Sequence, residues 1–297
     1  MNNRLATEQD VMSKLIEDEQ FDVERALYNE SDVIVSRCKF DGPLDGESAL
    51  KESQDIKVVE CDFRLRYPLW HVTNFEMDDC RMTNTCRAAL WYCRNGKITN
   101  TIIGGIKALR ECREIEISDC NISSAEFGWK CSDITISNCD LVSEYPLLDS
   151  KNITFSNMKM KGKYSFQYTK NLTVENSELD TKDAFWHAKN VTVSNSVIKG
   201  EYLGWYSENL TLINCHIEGT QPLCYCKKLT LIDCTMDDCD LAFEYSEVDA
   251  TIVGHIESIK NPLSGKIVAD SVGETIRDNP AIECDGEIII REKQKQQ

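Results

Sequence analysis

The chain has 297 residues, 41% hydrophobic and 28% charged, with 14 Gly and 6 Pro, which is enough apolar material to bury a large core. Its net charge of −17 speaks against nucleic acid, anionic membranes and polyanionic substrates, because those partners need clustered Lys and Arg. A neutral ligand, a cation or another protein fits such a surface better.

The opening stretch MNNRLATEQDVMSKLIEDEQ carries charges where a secretory signal would place its apolar segment, and no apolar run approaches the roughly 20 residues of a membrane span. The expected location is the cytoplasm. Fifteen cysteines are an odd count, and most recur at fixed repeat positions, so they are expected to be reduced and buried rather than paired.

Taken in chain order, residues 1–25 are predicted as a helical cap. Thr7 with Asp10 resembles a capping box, and Val11, Leu15 and Ile16 give Thr7 to Glu19 an apolar side that could cover the end of a repeat array. The loop KFDGPLDGESALKES then brings Asp41, Asp45, Glu47 and Glu52 around two glycines. It is a candidate cation loop, although its spacing is not that of an EF-hand, and no metal or cofactor is assigned.

From Asp32 onward the sequence repeats. Coils begin at Asp32, Asp55, Asn74 and Asn95 with spacings of 23, 19 and 21 residues, and seven gapless segments of 19 residues follow from Asn95 to Lys228. Within each unit the second and fourth residues are apolar and flanked by polar ones, as in Ile134 and Ile136 or Leu210 and Leu212. Such alternation marks a strand with one face inward.

The sixth residue is Asn or Asp, as in Asn138, Asn157 and Asn195. These types tolerate a left-handed backbone and bond neighbouring backbone, so a stacked asparagine corner is expected. The seventh and ninth residues form further inward columns, for example Cys120 and Ile122. A column of small residues, including Cys112, Cys131, Ser150 and Ala188, precedes each new unit by two positions.

One unit cannot bury its own apolar face, so coils must stack. The predicted fold is an all-β, single-stranded right-handed parallel β-helix of about a dozen coils of roughly 19 residues over residues 26–292, with a frayed tail at 293–297. A leucine-rich repeat is the rival at this period. The small column replaces its leading leucine, however, and YPLLDS and QPLCYC read as strands and turns rather than a convex helix.

Two adjacent columns near the end of each unit are candidates for function. The sixteenth position holds all five tryptophans, Trp70, Trp91, Trp129, Trp186 and Trp205, with Lys51, Arg110, Leu148, Gln167, Cys224 and Phe243 in the other coils. The seventeenth holds Glu52, His71, Tyr92, Glu111, Lys130 and Asp149, then Tyr168, His187, Tyr206, Tyr225 and Glu244. That second column is too polar for a core. Aromatic rings beside polar groups suit a neutral oligosaccharide or another polyhydroxylated ligand, although a solvated face lined by core tryptophans has the same composition.

The stretch ERALYNESDVIVSRCKFDGPLDGESALKES, with RYPLWHV, CRAALWYC, GIKALREC, EFGWKC, KYSFQY, DAFWHA and YLGWYS, resembles a bacterial family known as a domain of unknown function. That family is similar in architecture to pectin-lyase-like β-helices. The resemblance implies the fold and brings no activity or catalytic residues, and the N-T-D, D-D, G-H-G and R-x-K set of polygalacturonase-like enzymes is not present in that order.

Three functions follow from the stripe. The first is carbohydrate binding by Trp70, His71, Trp91, Tyr92, Arg110, Trp129, Tyr168, Trp186, Trp205 and Tyr206. The second is a hydrolase, lyase or epimerase using Glu111 and Asp149, with Lys130 or His187. Those carboxylates lie two coils apart, about 9.6 Å at the strand spacing, the upper edge for inverting glycosidases, although Lys130 between them would favour a plain charge ladder. The third is a protein-interaction scaffold. His71 and His187 lack the close partners of a zinc site, and the oligomeric state is open.

Overall fold

The computed structural model describes residues 13–42 and 47–291. Its strands wind into a parallel β-solenoid of about 14 turns, two more than the repeat count suggests, because coils form on both flanks of the regular segment. The first strand of each coil pairs in parallel with the same strand of the next, as Lys189 with Glu208 and Val191 with Leu210. A second, shorter strand does the same, as Glu178 with Val197.

The predicted helical cap is corrected over its described part. Lys14–Glu17 is a strand, aligned with Val33 to Ser36, so Leu15 and Ile16 extend the sheet instead of lying across its end on a helix. Four residues of strand can add a full row of backbone hydrogen bonds to an otherwise open edge. Thr7, Asp10 and Val11 lie outside the described residues. At the other end Glu287–Ile290 pairs with the strand Ser264–Ala269.

The inward columns are buried as predicted. Ile134, Ile136, Leu210 and Leu212 are within 1% of full burial, each contributing about 1.5–3 kcal/mol of apolar burial. Repetition stacks like on like, so Phe40 lies on Phe63 with centroids 4.6 Å apart and Phe166 on Phe185 at 5.3 Å. The small column carries hydroxyls and thiols that bridge coils: Ser150 Oγ donates to the Gly128 carbonyl at 2.7 Å and accepts from the Cys131 backbone N–H at 3.0 Å.

Both corners of the first strand use asparagine. At the sixth position Asn157 donates to Asn138 at 3.1 Å and Asn214 to Asn195 at 2.9 Å. A second ladder, not anticipated from the sequence, runs through the first position, where Asn152, Asn171, Asn190 and Asn209 each donate to the side-chain oxygen of the residue one coil back. All of these residues have positive φ.

The third side of the coil is a chain of alternating backbone hands. In one coil Asp183, Phe185 and His187 have φ of 51°, 61° and 53°, which costs about 1–2 kcal/mol for each non-Gly residue. Hydrogen bonds alternate with them: Phe185 N–H donates back to the Ser165 carbonyl at 2.8 Å and His187 N–H forward to the Trp205 carbonyl at 3.0 Å. Every backbone group so satisfied offsets part of that cost.

Candidate functional site

The alternating hands decide which way the two candidate columns point. The sixteenth residue lies along the edge of the core, half-buried in most coils and buried at Gln167 and Cys224, and the seventeenth, in the left-handed region, projects from the solenoid. Trp70, Trp91, Trp129, Trp186, Trp205 and Arg110 are half-buried. His71, Glu111, Lys130, Asp149, Tyr168, His187 and Tyr206 are exposed, and Tyr92 is half-buried.

The tryptophan column bonds to the coil that follows it. Trp129 Nε1 donates to the Tyr145 carbonyl at 2.8 Å and Trp205 Nε1 to the Gln221 carbonyl at 2.7 Å. Arg110 fills the same role with charge, reaching Glu126 at 3.4 Å while its guanidinium lies 5.2 Å from the centroid of the Trp129 ring. Each of these bonds spans 16 residues. Trp70 and Trp91 break the pattern, because their Nε1 atoms are buried without a partner.

The outward column divides into three stretches. At the N-terminal end His71 Nδ1 lies 3.0 Å from Glu52 Oε1, and its ring meets Tyr92 edge-on at 5.0 Å. In the middle are Glu111, Lys130 and Asp149. Glu111 faces Arg110 at 3.9 Å, and among the described residues Lys130 and Asp149 form no ion pair, so the expected ladder of alternating charges does not close.

The C-terminal stretch is a continuous aromatic ladder. Tyr168 and His187 stack at 5.3 Å, His187 and Tyr206 at 5.0 Å, and Tyr206 and Tyr225 at 4.8 Å, with planes within 12° of parallel. Tyr245 continues it at 5.8 Å. The faces of these rings therefore rest on one another, and the row offers hydroxyl and imidazole edges. Burial, with the Glu244 carboxylate second, pushes the Tyr225 phenol up to about 12, so it keeps its proton and can donate.

The sequence alignment of the columns slips by one residue in the coil that starts at Lys228. Tyr225 N–H donates to the Glu244 carbonyl, as Tyr206 N–H does to that of Cys224, which puts Glu244 in the tryptophan column and Tyr245 in the outward one. Phe243 is fully buried. The turn before it accommodates one more residue, a change that a fixed period of 19 conceals.

In the described part of the acidic loop, Asp41 and Glu47 are each paired with a cation. Asp41 pairs with Lys39 at 2.9 Å, whose hydrogen bond holds the carboxyl below its usual range. Glu47 pairs with Arg66 at 3.1 Å, and Asp45 lies outside the described residues. Among the described residues no cluster of three or more His, Cys, Asp or Glu is arranged to hold a metal, and no helix is long and apolar enough to cross a membrane.

Sequence reasoning missed two concave surfaces on the strand faces. One, of about 720 Å³, is lined by Asp55, Glu76, Glu114 and Asp133 with Lys57 and Lys97. The other, of about 570 Å³, runs past Lys159, Lys161 and Lys199 to His216. Their residues read in sequence as the ordinary polar side of alternating strands, and the curvature that makes them concave has no local signature. A smaller cavity of about 200 Å³ opens in the stripe itself, lined by Tyr67, Arg87, Trp91, Lys107 and Arg110 among others.

A family described as "Protein of unknown function (DUF3737)" matches residues 14–290. The chain belongs to this family. No functionally curated protein matches it. Among solved structures, this DUF3737 chain is similar to the tailspike protein of E. coli bacteriophage HK620, at 10% identity and a TM-score of 0.39, covering 88% of this chain and 66% of that one. It is also similar to a periplasmic alginate epimerase, at 9% identity, a TM-score of 0.33, and 93% and 73% coverage. A third is PfbA, a surface protein and adhesin of Streptococcus pneumoniae, at 7% identity, a TM-score of 0.33, and 92% and 91% coverage.

Proposed function

We propose that the protein binds a glycan, or a ligand similarly rich in hydroxyls, along the outward column. The observation behind this is the row Tyr168, His187 and Tyr206, in which hydroxyl and imidazole edges recur once per coil on an otherwise acidic surface. Tyr168 and Tyr206 are each 43% exposed, and stacking fixes their rings before any ligand arrives, which lowers the entropy lost on binding. Because the ring faces cover one another, ligand hydroxyls meet edges along the ladder, and a sugar face can rest on a ring only where a stack ends.

The test is intrinsic tryptophan fluorescence against a panel of neutral oligosaccharides, with product analysis on the same samples. A saturable change that weakens at least tenfold in His187→Ala supports the proposal, and silence across the panel overturns it. Product that disappears in Glu111→Gln or Asp149→Asn, with the fold retained, would make the site that of a glycan-active enzyme. The contiguous exposed rings would also suit a protein partner, which is the outcome if copurifying protein, and no sugar, protects Tyr206 from modification.

A further inference from the structure

We infer that the cavity between Tyr67, Arg87, Trp91, Lys107 and Arg110 seats the carboxylate of a single uronate residue within an otherwise neutral glycan. This rests on the glycan reading of the stripe and adds a substrate class to it.

The cavity arises from an irregular coil. The unit from Asn74 to Arg94 has 21 residues where its neighbours have 19, and it contains a single helical turn, Asn84–Cys86. The next coil fits against it through Gly105, whose φ is 109° and where a Cβ would come within 2.5 Å of the Arg87 carbonyl. In this setting Trp91 lacks the acceptor that Trp129 and Trp205 find, and its Nε1 stays buried and unpaired.

Charge then selects the ligand. Three cations line the cavity. Glu126 faces two of them, Arg110 at 3.4 Å and Lys107 at 3.7 Å, and Glu111 lies 3.9 Å from Arg110. Arg87 has no ion pair among the described residues and is exposed. Three positive against two negative groups leaves a local excess of one positive charge on a chain of −17.

That excess suits one anion and no more, since the wider surface repels a polyanion. Guanidinium forks match the geometry of a carboxylate. Tyr67 and Trp91 touch, with centroids 5.9 Å apart and planes tilted by 51°, and together form one aromatic wall on which the C–H face of a pyranose can rest. A volume of about 200 Å³ lies below the roughly 300–1,000 Å³ of pockets for drug-sized ligands, so it takes one ring and leaves the remainder of the chain to the outward column.

The experiment is calorimetric titration with a disaccharide carrying terminal glucuronic acid, its methyl ester, the neutral parent disaccharide and inorganic phosphate, on the wild type and Arg87→Gln. The acid is expected to bind at least tenfold more tightly than its ester, to lose about tenfold in Arg87→Gln, and to weaken with salt, while the ester and the neutral sugar do neither. Equal binding of acid and ester overturns the inference and leaves the glycan reading standing. Phosphate binding as tightly as the acid overturns it in favour of a general anion seat, and failure of every sugar takes both readings down together.

Discussion

Asn171 donates its side-chain amide to the side-chain oxygen of Asn152, one coil back, at 2.9 Å. The same bond recurs from Asn190 and Asn209, so each interior member of the ladder both gives and receives, while its backbone holds the left-handed region. Asn171→Ala loses both bonds and pays the Cβ penalty at positive φ, for an expected loss of about 1–3 kcal/mol. Asn171→Gly removes the bonds and relieves the backbone, and should cost less than half as much. Urea midpoints at constant slope would check this, and equal losses in the two variants would show that φ plays no part.

Trp205 and Trp91 occupy the same column with opposite hydrogen-bond status. Trp205 Nε1 donates to Gln221 at 2.7 Å, whereas Trp91 Nε1 is buried with no acceptor. Replacing either by Phe deletes the same indole atoms, so the difference between the variants isolates the bond. Trp205→Phe should be less stable than Trp91→Phe by about 1–3 kcal/mol, because it leaves the Gln221 carbonyl with only the weak Cys224 thiol donor where the other removes an unsatisfied donor. Thermal or urea denaturation of the pair decides it, and equal destabilisation would mean that Trp91 finds a partner in solution.

The solenoid was readable because stacking turns a sequence period into physical columns. The inward alternation of Ile134 and Ile136, the small column through Ser150 and the asparagine corner at Asn157 all depend only on residue type at a fixed repeat position. What stayed hidden depends on backbone hand and on relations across coils. The left-handed seventeenth residue is what turns Tyr206 outward, and Trp205 reaches an acceptor 16 residues on; neither leaves a periodic trace. The mutual stacking of the ladder is likewise a relation between coils, and the irregular coil at Asn84–Cys86, which shapes the cavity, showed only as two surplus residues.

Fourteen of the cysteines are free and buried, and Cys284 is partly accessible. Burial raises the Cys86 and Cys239 thiols to about 12 and that of Cys226 to about 11; the hydrogen bond with Cys234 lowers Cys215 to about 7, but Cys215 is itself buried, so lack of access is what protects the set as a whole. Native protein treated with iodoacetamide at mildly alkaline pH should take up one label, at Cys284, and all 15 only after unfolding. Rapid native labelling of any thiol in the small column would show that the coils open locally.

Asp183 stands apart from the other shifted aspartates. Asp78 and Asp133 are held below the ordinary aspartate value of 3.8 by hydrogen bonds from Thr99 and Asn152, respectively, as their largest influence; their stabilisation is present above that value and is lost as pH falls through the lower folded one. Burial raises Asp183 above 3.8, against the weaker pull of Lys182. The sign is therefore reversed: at neutral pH the fold must hold a partly desolvated carboxylate, and the penalty disappears as pH falls below the unfolded value. Asp183→Asn should raise the melting midpoint at pH 7 and lose that advantage below about pH 4, whereas Asp78→Asn should lower the midpoint at pH 7. Melting curves of both variants across this range test it, and a pH-independent effect of Asp183→Asn would mean that the carboxylate is already solvated in the folded state.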